Sequence, residues 1–227
     1  MPRPEPVLAC RAVDVVYPTP TGEVDALVDV TATFADGAIN VVAGPSGSGK
    51  SSLLRLLAAL ERPRVGEVLL DGEDIGRASR RRRRMLRRDR IAYVGSHTRG
   101  ALMPGATIDD ELRLVAAVRR APSGWASVAG DRLDGVGLGD RHDTRAVALS
   151  GGEQQRAAVI AALVAEPSVL LADEPTAALD SATALLLLAQ LRTVADRGTT
   201  VVVASHDPAV IGAADHVVNL RSGRVVR

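Results

Sequence analysis

Residues 39–60, INVVAGPSGSGKSSLLRLLAAL, leave little freedom to whatever folds around them. Residues 39–44 form a short apolar run closed by glycine, the pattern of a buried strand. Residues 51–60 read as a helix, and Pro63 stands just past its end. Between them GPSGSGKS fits G-x-x-x-x-G-K-[ST] in full. A strand that enters a helix through glycines can curl its backbone N–H groups around one point, and the helix N-terminus adds partial positive charge there. That point suits a phosphate. Lys50 would reach the β- and γ-phosphates of a nucleotide, and the Ser51 hydroxyl would ligate Mg2+. A flexible turn before an ordinary helix is the plainer alternative, and it leaves the strict spacing without a reason.

Composition sharpens the point. Lys50 is the only lysine among 28 Lys and Arg residues. On a solvated surface the two cations are nearly interchangeable. Inside a closed nest of amides the compact ammonium fits and the planar guanidinium fork does not. The chain carries a formal net charge of +1, which argues against bulk electrostatic attraction to nucleic acid. Aromatic residues make up 2% of it, so Ala, Val and Leu must build the core. Cys10 is the single cysteine; an internal disulfide is excluded and a reducing compartment fits. The segment MPRPEPVLAC lacks the apolar run of a signal peptide. No apolar run approaches the ~20 residues that span a bilayer, so a membrane role is expected to come through a partner.

The first third of the chain reads as strands. Val28, Val30, Ala32 and Phe34 alternate with small or polar residues, the period of a half-buried strand. Further strands are predicted at 67–70, 91–94, 168–172, 199–205 and 216–220. The last three alternate with helical segments at 181–195 and 208–214, a βαβ rhythm that predicts a largely parallel sheet with helices on its faces. Residues 107–120 start with the helix-capping pair Thr107 and Asp110, and no strand is predicted from there to Ser150. Residues 96–156 read as a helical insert in the α/β core formed by 1–95 and 157–227. No internal repeat is visible.

Two further segments carry chemistry. VLLADEPT (169–176) is an apolar strand ending in two carboxylates. Asp173 would sit beside the phosphate loop, in the crevice at the strand ends, and suits Mg2+ directly or through water. Glu174 would point toward an attacking water as general base, a role typically worth about 10²–10⁴ in rate. Two acids at a solvated strand end would look the same. LSGGEQQR (149–156) contains a plain capping box, Ser150 with Glu153. A cap alone does not need Gly151 and Gly152 in the first turn, where each glycine costs about 1 kcal/mol relative to Ala. Glycines there suggest close approach by an anion.

With these motifs the chain resembles the ATP-binding subunits of ABC transporters. GPSGSGKSS matches the Walker A loop, LSGGEQQR the family signature and VLLADEPT the Walker B strand. AALD (177–180) matches the D-loop and VVVASHD (201–207) the switch strand. Their order and spacing hold over nearly the whole chain. LSGGEQQR with LLADEPT resembles in particular the group that includes macrolide-export and lipoprotein-release systems. The resemblance implies a P-loop NTPase core with a mainly parallel sheet, an N-terminal antiparallel β subdomain and an inserted helical subdomain. It implies ATP bound by Gly44, Pro45, Ser46, Gly47, Ser48, Gly49, Lys50, Ser51 and Ser52, with Tyr17 stacked on adenine. His206 would contact the γ-phosphate and Asp180 would serve the D-loop. A lone tyrosine after a strand is more often packing, a lone histidine more often structural, and Asp180 also suits a helix N-cap. Ser150, Gly151 and Gly152 would bind the γ-phosphate held by a second copy. A head-to-tail homodimer, or a pseudo-dimer with a second ATPase subunit, is therefore implied. So is an integral membrane permease on a separate chain, with the ATPase at the cytoplasmic side of the membrane.

The sequence departs from the family at the Q-loop. The usual glutamine follows the strand at 91–94; here Ser96 is the best match, and a serine is expected to act on Mg2+ only through a bridging water. Slow but real hydrolysis is the expectation. At Ser52 the family usually has threonine, of little consequence because Ser51 holds the metal position. The segment RASRRRRRMLRRDR (77–90) packs nine arginines against one acid. It suits a solvated charged face, contact with anionic lipid headgroups or contact with nucleic acid.

Three functions follow from the resemblance: powering a transporter, with export the direction its group suggests; ATP-driven force transmission to a membrane partner without transport; and action on nucleic acid. The long coiled coils and paired ATPase domains of the soluble nucleic-acid and ribosome-associated members do not fit 227 residues, so nucleic acid is not the expected partner. A nucleotide-binding scaffold without turnover, suggested by Ser96, sits poorly with intact Glu174 and His206.

Overall fold

The computed structural model describes residues 7–20, 22–96 and 102–226. Its centre is a six-stranded sheet. Strands predicted from the sequence become β3 (Ile39–Ala43), β6 (Ile91–Val94), β7 (Val169–Asp173), β8 (Thr200–Ser205) and β9 (His216–Arg221), in the order β9-β3-β8-β7-β6 and all parallel. The short β10 (Arg224–Val226) turns back antiparallel on β9 and closes that edge. In β3, β7 and β8 successive side chains enter opposite apolar layers. Val41, Leu170 and Val203 face one; Val42, Leu171 and Val202 face the other. Burial on both faces is why these strands read as unbroken apolar runs.

One layer is closed by α5 (Gly151–Leu163), α6 (Ser181–Asp196) and the five-residue α7 (Pro208–Gly212). The other holds α1 (Lys50–Leu57), which packs against β7 and β8 on one side and a second sheet on the other. That second sheet is antiparallel, ordered β2-β1-β4-β5, from β1 (Leu8–Thr19), β2 (Gly22–Phe34), β4 (Val65–Leu70) and the two-residue β5 (Glu73–Asp74). Wedged between two sheets, α1 buries Lys50, Leu53, Leu54, Leu56 and Leu57. The helix is therefore an internal strut, and the loop at its start inherits its rigidity. It ends at Leu57, three residues short of the predicted end.

The alternation predicted in β2 holds at Val30, Ala32 and Phe34 and fails at Val28, which is only partly buried while Leu27 is fully buried. The break falls at Asp29, whose φ of +50° interrupts the pleat next to an irregular register with β1. An extra residue in one strand shifts its side chains to the opposite face.

Within the segment between β6 and α5 the described residues form helices: α3 (Ile108–Arg119), α4 (Trp125–Gly135) and a short 3-10 turn at Ala146–Ala148, with an isolated bridge between Thr107 and Arg145. Thr107 and Asp110 make the predicted reciprocal cap. The arginine run forms α2 (Arg80–Asp89), capped by Ser79, an element not foreseen from the sequence because arginine carries no apolar periodicity. No helix of the described residues is long and apolar enough to cross a membrane.

Candidate functional site

The loop between β3 and α1 is drawn closed by its own lysine. Lys50 is the first residue of α1, and its side chain folds back so that Nζ donates to the carbonyl oxygens of Gly44 at 2.8 Å and Pro45 at 3.2 Å. Only 6% of Lys50 is exposed. Gly49 caps α1 with φ at +101°, and a Cβ there would fall 2.5 Å from the Ala26 carbonyl oxygen, so glycine is required twice over. No side chain caps this helix and no acid sits in its first turn. Its leading N–H groups thus stay available to an acceptor from outside the helix. Pro45, Ser46 and Gly47 are exposed at the rim, while Ser48 is buried with its Oγ lacking a partner among the described residues.

The acidic pair arrives on β7, next to β8. Asp173 is 2% exposed. Burial pushes its carboxyl pKa up; a hydrogen bond with Ser51 opposes this, the charge of Glu174 adds to it, and Ser96 and Lys50 again oppose it. Asp173 Oδ1 has no hydrogen-bond partner among the described residues. A buried carboxylate oxygen with an unused lone pair, beside the Ser51 and Ser96 hydroxyls, is an all-oxygen donor set of the kind a hard cation such as Mg2+ takes. Those residues fit the metal. Ser96 thus reaches Asp173 with its own hydroxyl; the segment 97–101 of the Q-loop lies outside the described residues.

Glu174 follows with φ at +49°. Left-handed backbone at a residue other than glycine costs about 1–3 kcal/mol and is tolerated where the surroundings hold it. Here its N–H donates to the Ala204 carbonyl at 2.9 Å. Its Oε1 lies 3.4 Å from Lys50 Nζ and 3.0 Å from His206 Nδ1, and Ser205 Oγ donates to Oε2 at 3.4 Å. Lys50, Glu174 and His206, predicted separately from three motifs, come together in one cluster. The sequence directs Glu174 toward water and Lys50 toward phosphate. In the structure the two meet, and opposite charges at that separation attract. Ser205 was not foreseen; a serine ending an apolar strand just before His206 is the signal that could have marked it.

Tyr17 lines a groove with Val24, Asp25, Gly47 and Ser52 alongside the phosphate loop. Its hydroxyl donates to Glu61, which also accepts from Arg55. Burial and the bond to Glu61 raise the phenol pKa, while contact with Ser52 lowers it. The ring is thereby fixed at the groove wall. Glu61, the residue that fixes it, had no sequence signal.

Ser150, Gly151 and Gly152 stand apart from this cluster. Ser150 and Glu153 form the reciprocal cap of α5. Ser150 and Gly151 line a separate hollow with Leu102, Pro104 and Gln154. The two glycines differ in their reasons. A Cβ on Gly152 would meet Leu179 at 3.0 Å and the Ala178 carbonyl at 3.1 Å, so the chain's own packing asks for a small residue. A Cβ on Gly151 would meet nothing within 4 Å. Asp180 caps α6 by accepting from the Thr183 N–H at 3.0 Å and its hydroxyl at 2.7 Å; within one chain its carboxylate is a helix cap.

The family described as ABC transporter matches residues 27–177, which include the phosphate loop, the signature helix and the acidic strand. The chain belongs to the ABC transporter family. It is 39% identical over 203 residues to lipoprotein-releasing system ATP-binding protein LolD 1 of Rhodospirillum rubrum, covering 86% of this chain and 88% of that one. It is 36% identical over 222 residues to macrolide export ATP-binding/permease protein MacB 1/2 of Paracoccus denitrificans, covering 97% of this chain but 33% of that protein. Among solved structures, the dimeric bacterial ABC transporter cassette MJ0796 superposes with a TM-score of 0.89 at 31% identity, covering 97% of each chain. A second dimeric structure of that cassette, in a post-hydrolysis state bound to ADP and Pi, gives 0.88 at 30%. The fold predicted from the motifs is thus the fold of ABC ATPase cassettes, and the chain is a nucleotide-binding member of that ATPase family.

Proposed function

We propose that two copies of this chain, or this chain and a second ATPase subunit, close head to tail on two ATP molecules. Hydrolysis then drives a membrane permease carried on a separate polypeptide, in an export-type system held at the cytoplasmic face of the membrane. One observation carries the reading. The groups that act on a phosphate, Lys50, Asp173, Glu174 and His206, gather at one end of the sheet, while Ser150 and Gly151 open onto a different hollow. Gly151, where an added Cβ would meet nothing within 4 Å among the described residues, suits a surface that meets the ligand of another copy.

In this reading the loop N–H groups and Lys50 bind the β- and γ-phosphates, and ATP takes Lys50 from Glu174. The adenine lies on Tyr17. Glu174, released from the ammonium, accepts the proton of the attacking water, and His206 contacts the γ-phosphate. Ser51, Asp173 and Ser96 would hold Mg2+, which when bound neutralises charge on the phosphate oxygens. Support comes from the geometry above and from relatives described as ATP-binding proteins of macrolide-export and lipoprotein-releasing systems.

Sedimentation velocity of a Glu174→Gln variant tests the assembly. With ATP and Mg2+ the variant is expected to run as a dimer, and with ADP as a monomer. A monomer under both conditions at high protein concentration would contradict the reading.

A further inference from the structure

Eight of the nine arginines of residues 77–90 fall into two sets in the structure; the ninth, Arg81, is exposed and belongs to neither. One set is neutralised locally: Arg77 pairs with Asp74, Arg82 with Glu73, Arg88 with Asp89 and Arg90 with Asp71. The other set, Arg80, Arg83, Arg84 and Arg87, lies on one face of α2 at i, i+3, i+4 and i+7 and lines a hollow with Leu60. Among the described residues none of these four forms an ion pair with a carboxylate. Two are held in place by the chain that leaves α1: Arg83 donates to the Glu61 carbonyl at 3.3 Å and Arg87 to the Ala59 carbonyl at 2.6 Å. Arg83 Nε is buried without a partner among the described residues. Burial first, and then the charges of Arg62, Arg87 and Arg80, hold the Arg83 pKa below its ordinary value. Four cations are therefore crowded with no acid paired to them, two of them held by backbone carbonyls, while Arg82 and Arg88 on the same helix pair with carboxylates.

We propose that this hollow binds a phosphate-bearing anion, the headgroup of an acidic phospholipid. Guanidinium forks match phosphate oxygens two at a time, and a fixed set of them binds with little loss of rotamer freedom. Leu60, 39% exposed at the same hollow, offers an apolar contact that the glycerol and acyl region of a lipid can use. The choice of a lipid source rests on the reading that the chain works beside a membrane. Nucleic acid fits less well. No aromatic side chain lines the hollow for base stacking, and the net charge of the chain is only +1.

The test compares the whole chain with an Arg80→Gln/Arg84→Gln variant, both sites exposed, and with an Arg77→Gln/Arg81→Gln variant that loses the same charge elsewhere. Each is sedimented with vesicles of phosphatidylcholine alone or mixed with phosphatidylglycerol. Binding to the mixed vesicles only is expected, weaker by about tenfold or more in the first variant and by much less in the second. A parallel arm follows the melting temperature with inorganic phosphate in a Lys50→Met background, where the nucleotide loop is silenced. A rise lost with Arg80→Gln/Arg84→Gln, without vesicle binding, keeps the phosphate site and assigns it to a free ion. Equal loss in both double variants, no response in either arm, or tighter binding to duplex DNA than to vesicles would overturn the proposal. ATP hydrolysis of the same variants is read separately, so loss of the ATPase reading and loss of this one give different results.

Discussion

In the proposed function two demands meet at Lys50: a cation must fit a loop closed by the Gly44 and Pro45 carbonyls, and it would exchange Glu174 for phosphate. A guanidinium is too wide for the first. Lys50→Arg is therefore expected to lose nucleotide binding, read with a fluorescent ATP analogue, while the unfolding midpoint changes little. Near-normal affinity would contradict the account. Asp173 makes a second claim. Its folded pKa lies above the ordinary value of 3.8 because burial disfavours the charge. Its contribution to stability is therefore full below the unfolded pKa and is lost as pH rises through the folded one. At neutral pH the ionised, buried carboxylate costs the nucleotide-free chain stability. Asp173→Asn should raise the melting temperature of the nucleotide-free chain at pH 7, with the gain shrinking toward pH 4, and should abolish hydrolysis. A lowered melting temperature at pH 7 would show that the carboxylate is compensated in the empty site.

At the scale of elements, α1 decides both stability and binding. It packs between two sheets and carries the phosphate loop on its first turn. Leu54→Ala should cost about 2–5 kcal/mol in urea unfolding, the usual range for a buried leucine, and ATP affinity should fall with it. Unchanged affinity at that loss would show that the loop holds its shape without the helix. The elements around α1 were also the most legible. Strand, glycine turn and helix in β3 and α1, and the buried runs of β7 and β8, announce themselves because double burial leaves no polar residue to blur the pattern. Legibility fails where the cause is not local. Asp29 breaks the pleat of β2, and only its pairing with β1 shows it. The helix α2 has no apolar stripe, since Leu86 is its one buried residue. In the site, the motifs give Lys50, Asp173, Glu174 and His206 singly. Their convergence, the Ser205 hydroxyl on Glu174 and the Glu61 carboxylate behind Tyr17 depend on residues far apart in sequence.

At the scale of the whole molecule, the proposed assembly rests on two places that one chain keeps apart, the Lys50, Glu174 and His206 cluster and the hollow at Ser150 and Gly151. Gly151 has open space around it, so Gly151→Glu should fold normally and still bind ATP. The added carboxylate would repel the γ-phosphate of the other copy, and both ATP-dependent dimerisation and hydrolysis should be lost. Full hydrolysis in that variant would mean that each chain completes its own site. The most direct test of that claim is Mg2+-dependent ATP hydrolysis by the purified chain across a range of protein concentrations, with Glu174→Gln as control. The account predicts turnover that rises more than linearly with concentration and falls by about 10²-fold or more in the control. A specific activity independent of concentration, or one that survives Glu174→Gln, would contradict it.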